Sequence, residues 1–232
     1  MRIALALSAL LLLRPAWADT PPAPLEYLVR IVGGADAPDL PLVIAVHGLG
    51  DRPESFIGLL DGAPFRARVL APRAPVPYGR GGTWFALADP PDDRMRAELA
   101  ESADRLAALA AHARARWPQS PGVWITGFSQ GGMLSFAVAA RHPEAVAGAV
   151  PIAGALPPPI AVPARVPPIR ALHGEADRRI PFAAGQATVA ALASAGDVRL
   201  QAFPGVGHAV PPPVRAALFA TLAGLLPALA SK

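Results

Sequence analysis

Near its centre the chain reads Val123-Trp124-Ile125-Thr126-Gly127-Phe128-Ser129-Gln130-Gly131, a short apolar run followed directly by a Gly-x-Ser-x-Gly motif. The run Val123–Thr126 has the composition of a buried strand, and a helical pattern begins immediately after the motif. A strand can turn this abruptly into a helix only where residues without a side chain flank the turn, hence Gly127 and Gly131. The sequence therefore predicts a strand, a sharp turn and a helix, with the hydroxyl of Ser129 at the carboxyl end of the strand.

Outward from this motif, short apolar runs recur along the chain. The strand candidates are Leu25–Val32, Leu40–Val46, Ala67–Ala71, Val123–Thr126, Val146–Ile152, Ile169–Leu172 and Val198–Phe203. Runs that are apolar on both faces are typical of a parallel sheet covered on both sides. Only the last run alternates cleanly, with Arg199 and Gln201 at its polar positions, and this pattern favours an edge strand.

Helical patterns separate these runs. The helix candidates are Asp92–Arg116, Gln130–Arg141, Phe182–Ala195 and Val214–Leu229. In the first, apolar residues fall at three- and four-residue steps, at Met95, Leu99, Ala103, Leu106, Ala110 and Ala113. The last is very apolar, but Arg215 and Pro227 limit it to the length of a core helix. Alternating strands and helices predict an α/β fold with a mostly parallel central sheet and helices on both faces.

Composition limits the function classes. The 232 residues are 53% hydrophobic and 16% charged, which suits one folded core and excludes a disordered chain. The formal net charge is +4, but the arginines are scattered and no nucleic-acid-binding motif is present, so nucleic acid is not an expected partner. There is no cysteine, which excludes disulfides and a lipid anchor on a thiol.

Residues 1–18 have the pattern of an export signal. Arg2 supplies the positive charge, Ile3–Leu13 is apolar, and Ala16-Trp17-Ala18 matches a small-x-small cleavage site. The apolar stretch is much shorter than the roughly 20 residues that span a bilayer. We therefore expect a mature chain of residues 19–232, a single domain, exported to the periplasm or secreted as a soluble protein without a membrane span.

A serine hydroxyl needs a base to become a nucleophile, and in this type of fold the chain order is serine, acid, histidine. Three histidines follow Ser129. His142 comes at a predicted helix end, and His173 precedes the nearby carboxylates, so neither suits that order. His208 lies in a loop after the last strand candidate and is the predicted base.

Three carboxylates between the serine and the histidine could supply the acid. Asp177 follows the strand candidate Ile169–Leu172, at the sheet edge where Ser129 and His208 are expected. Asp197 precedes a strand and belongs to the opposite edge. Glu175 competes with Asp177 by position, so the residues alone leave both open.

Four motifs resemble those of the phospholipase/carboxylesterase family, which includes acyl-protein thioesterases and bacterial carboxylesterases. They are His47-Gly48-Leu49-Gly50-Asp51, Gly127-Phe128-Ser129-Gln130-Gly131-Gly132, His173-Gly174-Glu175-Ala176-Asp177 with Pro181, and Gly205-Val206-Gly207-His208. The resemblance spans roughly Leu25 to Leu229 and implies an α/β-hydrolase fold without a large cap domain. It also favours Asp177 as the acid and implies that an aromatic residue of Gly81-Gly82-Thr83-Trp84-Phe85 lines an acyl pocket.

These residues predict a Ser129-His208-Asp177 triad that forms an acyl-enzyme. The backbone N–H of Gln130 is one expected donor to the oxyanion, and the resemblance implies that of Leu49 as the second. We expect His47 to be structural, since it precedes the serine in the chain. The substrate pocket is predicted to be walled by Trp84, Phe85 and Met133.

The predicted substrate is a small-molecule or lipid-like ester, or a thioester, with a short to medium acyl chain, cleaved without metal or cofactor. A serine peptidase of the prolyl-peptidase type is one alternative, although such enzymes carry a large extra domain. A non-catalytic binding protein on the same fold is another, although no triad member is missing. The proline-rich segment 156–168 is either a stiff surface loop or a substrate-shaping lid.

Overall fold

The computed structural model describes residues 24–227, so the predicted export signal lies outside the described residues. The strands are β1 (Tyr27–Val32), β2 (Leu42–Val46), β3 (Ala67–Pro72), β4 (Val76–Tyr78), β5 (Gly81–Thr83), β6 (Val123–Phe128), β7 (Gly148–Ile152), β8 (Ile169–Gly174) and β9 (Val198–Phe203). The α-helices are α1 (Pro53–Phe56), α2 (Asp93–Arg116), α3 (Gln130–Arg141), α4 (Phe182–Leu192) and α5 (Pro212–Leu225), and a 3₁₀ turn at Ile57–Leu60 follows α1.

Seven strands form one twisted sheet in the order β1-β3-β2-β6-β7-β8-β9. Strand β1 runs antiparallel to β3, and the remaining neighbours are parallel. The predicted mostly parallel sheet is confirmed, and the alternating strand β9 does lie at an edge. Because parallel strands all end on the same side, the loops that follow β2, β6, β8 and β9 converge at one edge of the sheet.

Helices cover both faces of the sheet, as predicted. On one face α2 and α3 pack on the core, and the six apolar positions predicted for α2 are all buried. On the other face α1 and α5 cover a second apolar cluster that includes Val43 and Val150. Helix α3 has buried residues from Gln130 to Ala140, so the element that follows the Gly-x-Ser-x-Gly motif lies at the centre of the molecule.

Several predicted boundaries and one element differ from the structure. Helix α5 begins at Pro212, two residues earlier than expected. Proline is tolerated there because the N–H groups of the first helical turn make no hydrogen bond within the helix. Helix α4 ends at Leu192, before the turn-forming residues Ser194–Gly196. The hairpin of β4 and β5 was not predicted, since its strands have three residues each and are rich in glycine and proline.

The proline-rich segment lies against the carboxyl edge of the sheet and is held there by hydrogen bonds. Arg96 of α2 donates from Nε and Nη2 to the carbonyl of Pro158, at 3.0 and 2.8 Å. The N–H of Leu156 donates to Thr188 Oγ1 of α4 at 2.9 Å.

Within residues 24–227, no helix is both long and apolar enough to cross a membrane.

Candidate active site

Ser129 occupies the sharp turn between β6 and α3. Its backbone lies in the left-handed region, with φ 60° and ψ −118°, a conformation that L residues adopt only under strain. The flanking glycines permit the turn, because a Cβ at Gly127 would lie 2.7 Å from the Val46 carbonyl oxygen and one at Gly131 only 1.9 Å from it. The strand–turn–helix predicted from the sequence is therefore present, with Ser129 partly exposed at its apex.

His208 lies between Ser129 and Asp177 in a continuous chain of hydrogen bonds. The Ser129 Oγ is 2.9 Å from His208 Nε2, and His208 Nδ1 is 2.7 Å from Asp177 Oδ2. Because a carboxylate only accepts, Nδ1 carries the proton and Nε2 is left to accept from the serine hydroxyl. The Phe128 ring packs against the imidazole at 4.7 Å between centroids, which limits the positions that His208 can take.

The loop between β8 and α4 holds the carboxylate of Asp177. Its Oδ1 accepts from the backbone N–H groups of Arg179 and Ile180, at 2.9 and 3.0 Å, while Oδ2 faces His208. The side chain is fully buried. Both carboxylate oxygens are thus engaged, and Asp177 can hold the imidazole in one orientation.

The competing sequence candidates are exposed or have other partners. Glu175 is exposed, and Asp197 pairs with Arg170 and Arg199. His142 contacts Asp104, with 2.7 Å between Nε2 and Oδ1. Buried His173 donates from Nε2 to the carbonyl of Ile180 at 2.9 Å, bracing the loop that carries Asp177. His173 Nε2 also lies 3.5 Å from Asp177 Oδ2, but it is His208 that the structure places between Ser129 and Asp177.

Two backbone N–H groups lie beside the serine. Gln130 is the first residue of α3, and Leu49 follows β2 in a loop that comes close to Ser129, since a Cβ at Gly48 would lie 3.3 Å from the Ser129 Cβ. Among the hydrogen bonds of the described residues, neither N–H group finds an acceptor. Both residues line the cavity that contains Ser129, so both donors are available to a developing oxyanion.

His47 braces the Leu49 loop from behind. Its ring is buried, with Nδ1–H donating to the Gly48 carbonyl at 2.8 Å and Nε2 accepting from the Ala74 N–H at 3.2 Å. Burial lowers the pKa of His47, more than the Gly48 hydrogen bond and the nearby carboxylates of Asp51 and Glu54 raise it. The residue therefore acts as a neutral structural link, as its position in the sequence suggested.

Sequence reasoning missed the role of the Gln130 side chain. Its Oε1 accepts from the Trp84 N–H at 3.1 Å, and its Nε2 donates to the Phe85 carbonyl at 2.7 Å. These bonds tie the segment after β5 to the start of α3. The sequence signal was a long polar residue at the first position of a largely apolar helix.

Ser129 opens into a cavity of about 650 Å³. Its apolar walls include Leu87, Met95, Met133, Ala155, Leu156 and Ile180. The predicted wall residue Met133 is therefore in place.

The assignment of Trp84 and Phe85 to this wall is corrected by the structure, because both line a neighbouring cavity of about 610 Å³ instead. The Trp84 indole N–H donates to the His47 carbonyl at 2.9 Å, which holds the ring behind the Leu49 loop.

The described residues offer no separate metal site. Across residues 24–227, no group of three or more His, Cys, Asp or Glu side chains is arranged to hold a metal ion. The groups next to Ser129 are therefore the imidazole and carboxylate behind it and the two backbone donors.

Comparison with known proteins places the chain in a family. Residues 29–217 match the family model of the phospholipases and carboxylesterases. A probable carboxylesterase of Oryza sativa subsp. japonica is 29% identical over 203 residues, covering 77% of this chain and 75% of that protein. Carboxylesterase SOBER1 of Arabidopsis thaliana is 29% identical over 191 residues, covering 72% of this chain and 83% of its own length.

Solved structures with a similar fold include another carboxylesterase. The crystal structure of the Bacillus cereus carboxylesterase superimposes with a TM-score of 0.77 at 16% identity, covering 92% of this chain and all of that one. At this identity the likeness concerns the fold, an α/β-hydrolase sheet without a large cap. Together with the family match, it leads to one conclusion: the chain belongs to the phospholipase/carboxylesterase family of serine ester hydrolases.

Proposed function

We propose that the protein is a carboxylesterase in which Ser129, His208 and Asp177 form the catalytic triad. The observation that carries this proposal is the unbroken chain of hydrogen bonds from Ser129 Oγ through His208 to Asp177, at 2.9 and 2.7 Å, at the base of a cavity. The strained turn exposes the hydroxyl, and the two unpaired N–H groups lie beside it. This combination is what acyl transfer to serine requires.

In the first half of the reaction, Ser129 Oγ attacks the ester carbonyl while its proton passes to His208 Nε2. The carbonyl oxygen becomes an oxyanion, which accepts from the N–H groups of Leu49 and Gln130. As the tetrahedral intermediate collapses, the bond to the alcohol oxygen or thiol sulfur breaks, and His208 returns the proton to that leaving group. The acyl group is then bonded to Ser129.

In the second half, a water molecule gives its proton to His208 Nε2 and attacks the acyl carbonyl. The same two N–H groups stabilise the second oxyanion. Collapse of this intermediate releases the carboxylic acid and returns the proton to Ser129. Asp177 keeps its own charge throughout, holding the imidazole in the required tautomer and stabilising its protonated form.

We further propose that short and medium acyl chains are preferred. A cavity of about 650 Å³ with a few apolar residues in its wall can bury several methylenes of an acyl chain. Each buried methylene contributes roughly 0.8 kcal/mol, so kcat/KM should rise about fourfold per methylene until the cavity is filled.

A panel of 4-nitrophenyl esters from acetate to palmitate, together with a dipeptide amide, tests this function. We expect kcat/KM to increase to a medium chain length and then to level off or fall. Faster cleavage of the dipeptide amide than of the butyrate or octanoate ester would instead identify a peptidase. An absence of turnover on every compound would favour a non-catalytic binding protein.

A further inference from the structure

We propose that Arg178 and Arg179 form a subsite that binds an anionic group carried by the ester substrate. The proposal rests on the proposed ester hydrolysis and names a chemical class of substrate for it: esters with a carboxylate, or a similar anion, in either the acyl or the alcohol part. The two arginines follow the triad acid Asp177 directly, and both line the cavity that contains Ser129.

The backbone of this arginine pair is held firmly. The N–H of Arg179 donates to Asp177 Oδ1, and the following Ile180 is fixed both through its N–H to the same oxygen and through its carbonyl to His173. All of these bonds involve the backbone of the loop, whereas both arginine side chains are exposed. The loop therefore presents two exposed cationic side chains at the cavity, on a backbone held by hydrogen bonds.

The two guanidinium groups have no charged partner among the described residues. Among residues 24–227, neither Arg178 nor Arg179 forms an ion pair or a side-chain hydrogen bond, whereas Arg141 and Arg170 each pair with an aspartate. A guanidinium presents five N–H donors in a planar fork that matches a carboxylate. Two unpaired guanidinium groups beside Ser129 can thus bind an anionic group of the substrate.

Other charged residues at the cavity favour one orientation of an anionic ester. Asp51, in the loop after β2, and Asp89, before α2, also line it. Strands β2 and β8 lie on opposite sides of β6, so Asp51 and the arginine pair stand on opposite sides of Ser129. An anionic substrate is repelled on the side of Asp51 and attracted on the side of Arg178 and Arg179, which favours one orientation of the ester over the other.

The test compares anionic and neutral esters of matched shape. For the acyl side, the pair is 4-nitrophenyl hydrogen glutarate and its methyl-capped ester. For the alcohol side, it is 4-carboxyphenyl butyrate and 4-(methoxycarbonyl)phenyl butyrate. Each kcat/KM is divided by the hydroxide-catalysed hydrolysis rate of the same ester, which removes differences in leaving-group reactivity. In at least one pair, the anionic ester should be favoured about tenfold at low salt.

Charge reversal then links this preference to the arginines. Exposed ion pairs are each worth a factor of up to about five, so Arg178→Glu and Arg179→Glu should each lower the anionic-to-neutral ratio several-fold, and the double variant should abolish or invert it. The double substitution to lysine should retain most of the ratio, because it keeps both charges. Raising the salt to 0.5 M should reduce the wild-type ratio, since exposed charges are screened.

Arg165→Glu is the matched control, because it changes the net charge equally at an exposed position that does not line the cavity. It should leave the ratio unchanged. A wild-type ratio near one in both pairs would overturn the inference while leaving ester hydrolysis intact, and so would a preference that survives double charge reversal. If none of the four esters is hydrolysed, the proposed function is overturned, and this inference with it.

Discussion

Ser129 combines a strained backbone with an unobstructed hydroxyl, and the role proposed for it can be tested at that one atom. Ser129→Ala removes the Oγ but keeps the turn, because alanine has the same Cβ. We expect kcat for ester hydrolysis to fall by roughly 10³ to 10⁶, with an unchanged far-ultraviolet circular dichroism spectrum. Stoichiometric labelling of the alanine variant by a fluorophosphonate would show that another residue is the nucleophile.

Glu175 competes with Asp177 by sequence position, and the structure separates the two by burial and contact. Asp177→Asn should lower kcat by roughly 10³ to 10⁴, because an amide can donate to Nδ1 and so stabilise the wrong tautomer of His208. Glu175→Gln changes an exposed side chain and should alter kcat less than twofold. Steady-state kinetics of the two variants on 4-nitrophenyl butyrate decide the matter, and the reverse order of effects would transfer the role to Glu175.

Among the secondary-structure elements, α2 holds the first residues of the proline-rich segment, Leu156–Pro158, which form part of the cavity wall. Arg96 donates twice to the Pro158 carbonyl, so Arg96→Ala should loosen Leu156–Pro158. We expect KM for a medium-chain ester to rise about threefold with little change in kcat, and the free energy of unfolding to fall by about 1 kcal/mol. These quantities are measured by initial rates over a range of ester concentrations and by urea denaturation.

Arg105→Ala is the control for that variant, since it removes an exposed ion pair with Glu101 on the same helix, and neither residue lines the cavity that contains Ser129. Its KM should match that of the wild type. A larger effect on kcat than on KM in Arg96→Ala would mean that the segment positions the reacting atoms and does not merely bound the cavity.

Elements with a strong local signal were predictable from the sequence. The turn at Ser129 was one, because the two glycines it needs are written into the motif, and α2 was another, because its buried positions repeat at helical spacing. The hairpin of β4 and β5 carries no such signal. Its strands exist because neighbouring segments support them, for example through the hydrogen bond from the Gly82 N–H to the Asp51 carbonyl at 3.0 Å.

The meeting of the three residues of the proposed triad was predictable for a geometrical reason, while the cavity wall was not. Residues that follow parallel strands must meet at one edge of the sheet, so His208 and the carboxylates after β8 had few other places to lie. Which way an aromatic side chain faces depends instead on tertiary contacts. Trp84 turns toward the carbonyl of His47, and the Gln130 side chain holds the backbone beside it, and neither contact has a signature in the sequence.

For the molecule as a whole, His47 connects three segments that are distant in the chain, and its protonation should affect overall stability. The ring bonds the Leu49 loop through Gly48 and the segment after β3 through Ala74, while its own carbonyl accepts from Trp84. Protonation would place a charge in a buried site and remove the acceptor that Nε2 offers to Ala74. The folded structure therefore favours neutral His47, which is consistent with its lowered pKa.

Since the pKa of His47 is lower in the folded than in the unfolded state, the unfolded chain binds more protons as the pH falls below about 6.5. The stability that His47 contributes is complete above that pH and is lost as the pH falls toward the folded pKa. Urea denaturation of the wild type and of His47→Gln should show the variant to be less stable by about 1 to 3 kcal/mol at pH 7.5. That difference should shrink as the pH falls to 5, because glutamine does not titrate. A difference that stays constant from pH 7.5 to pH 5 would mean that His47 does not couple protonation to folding.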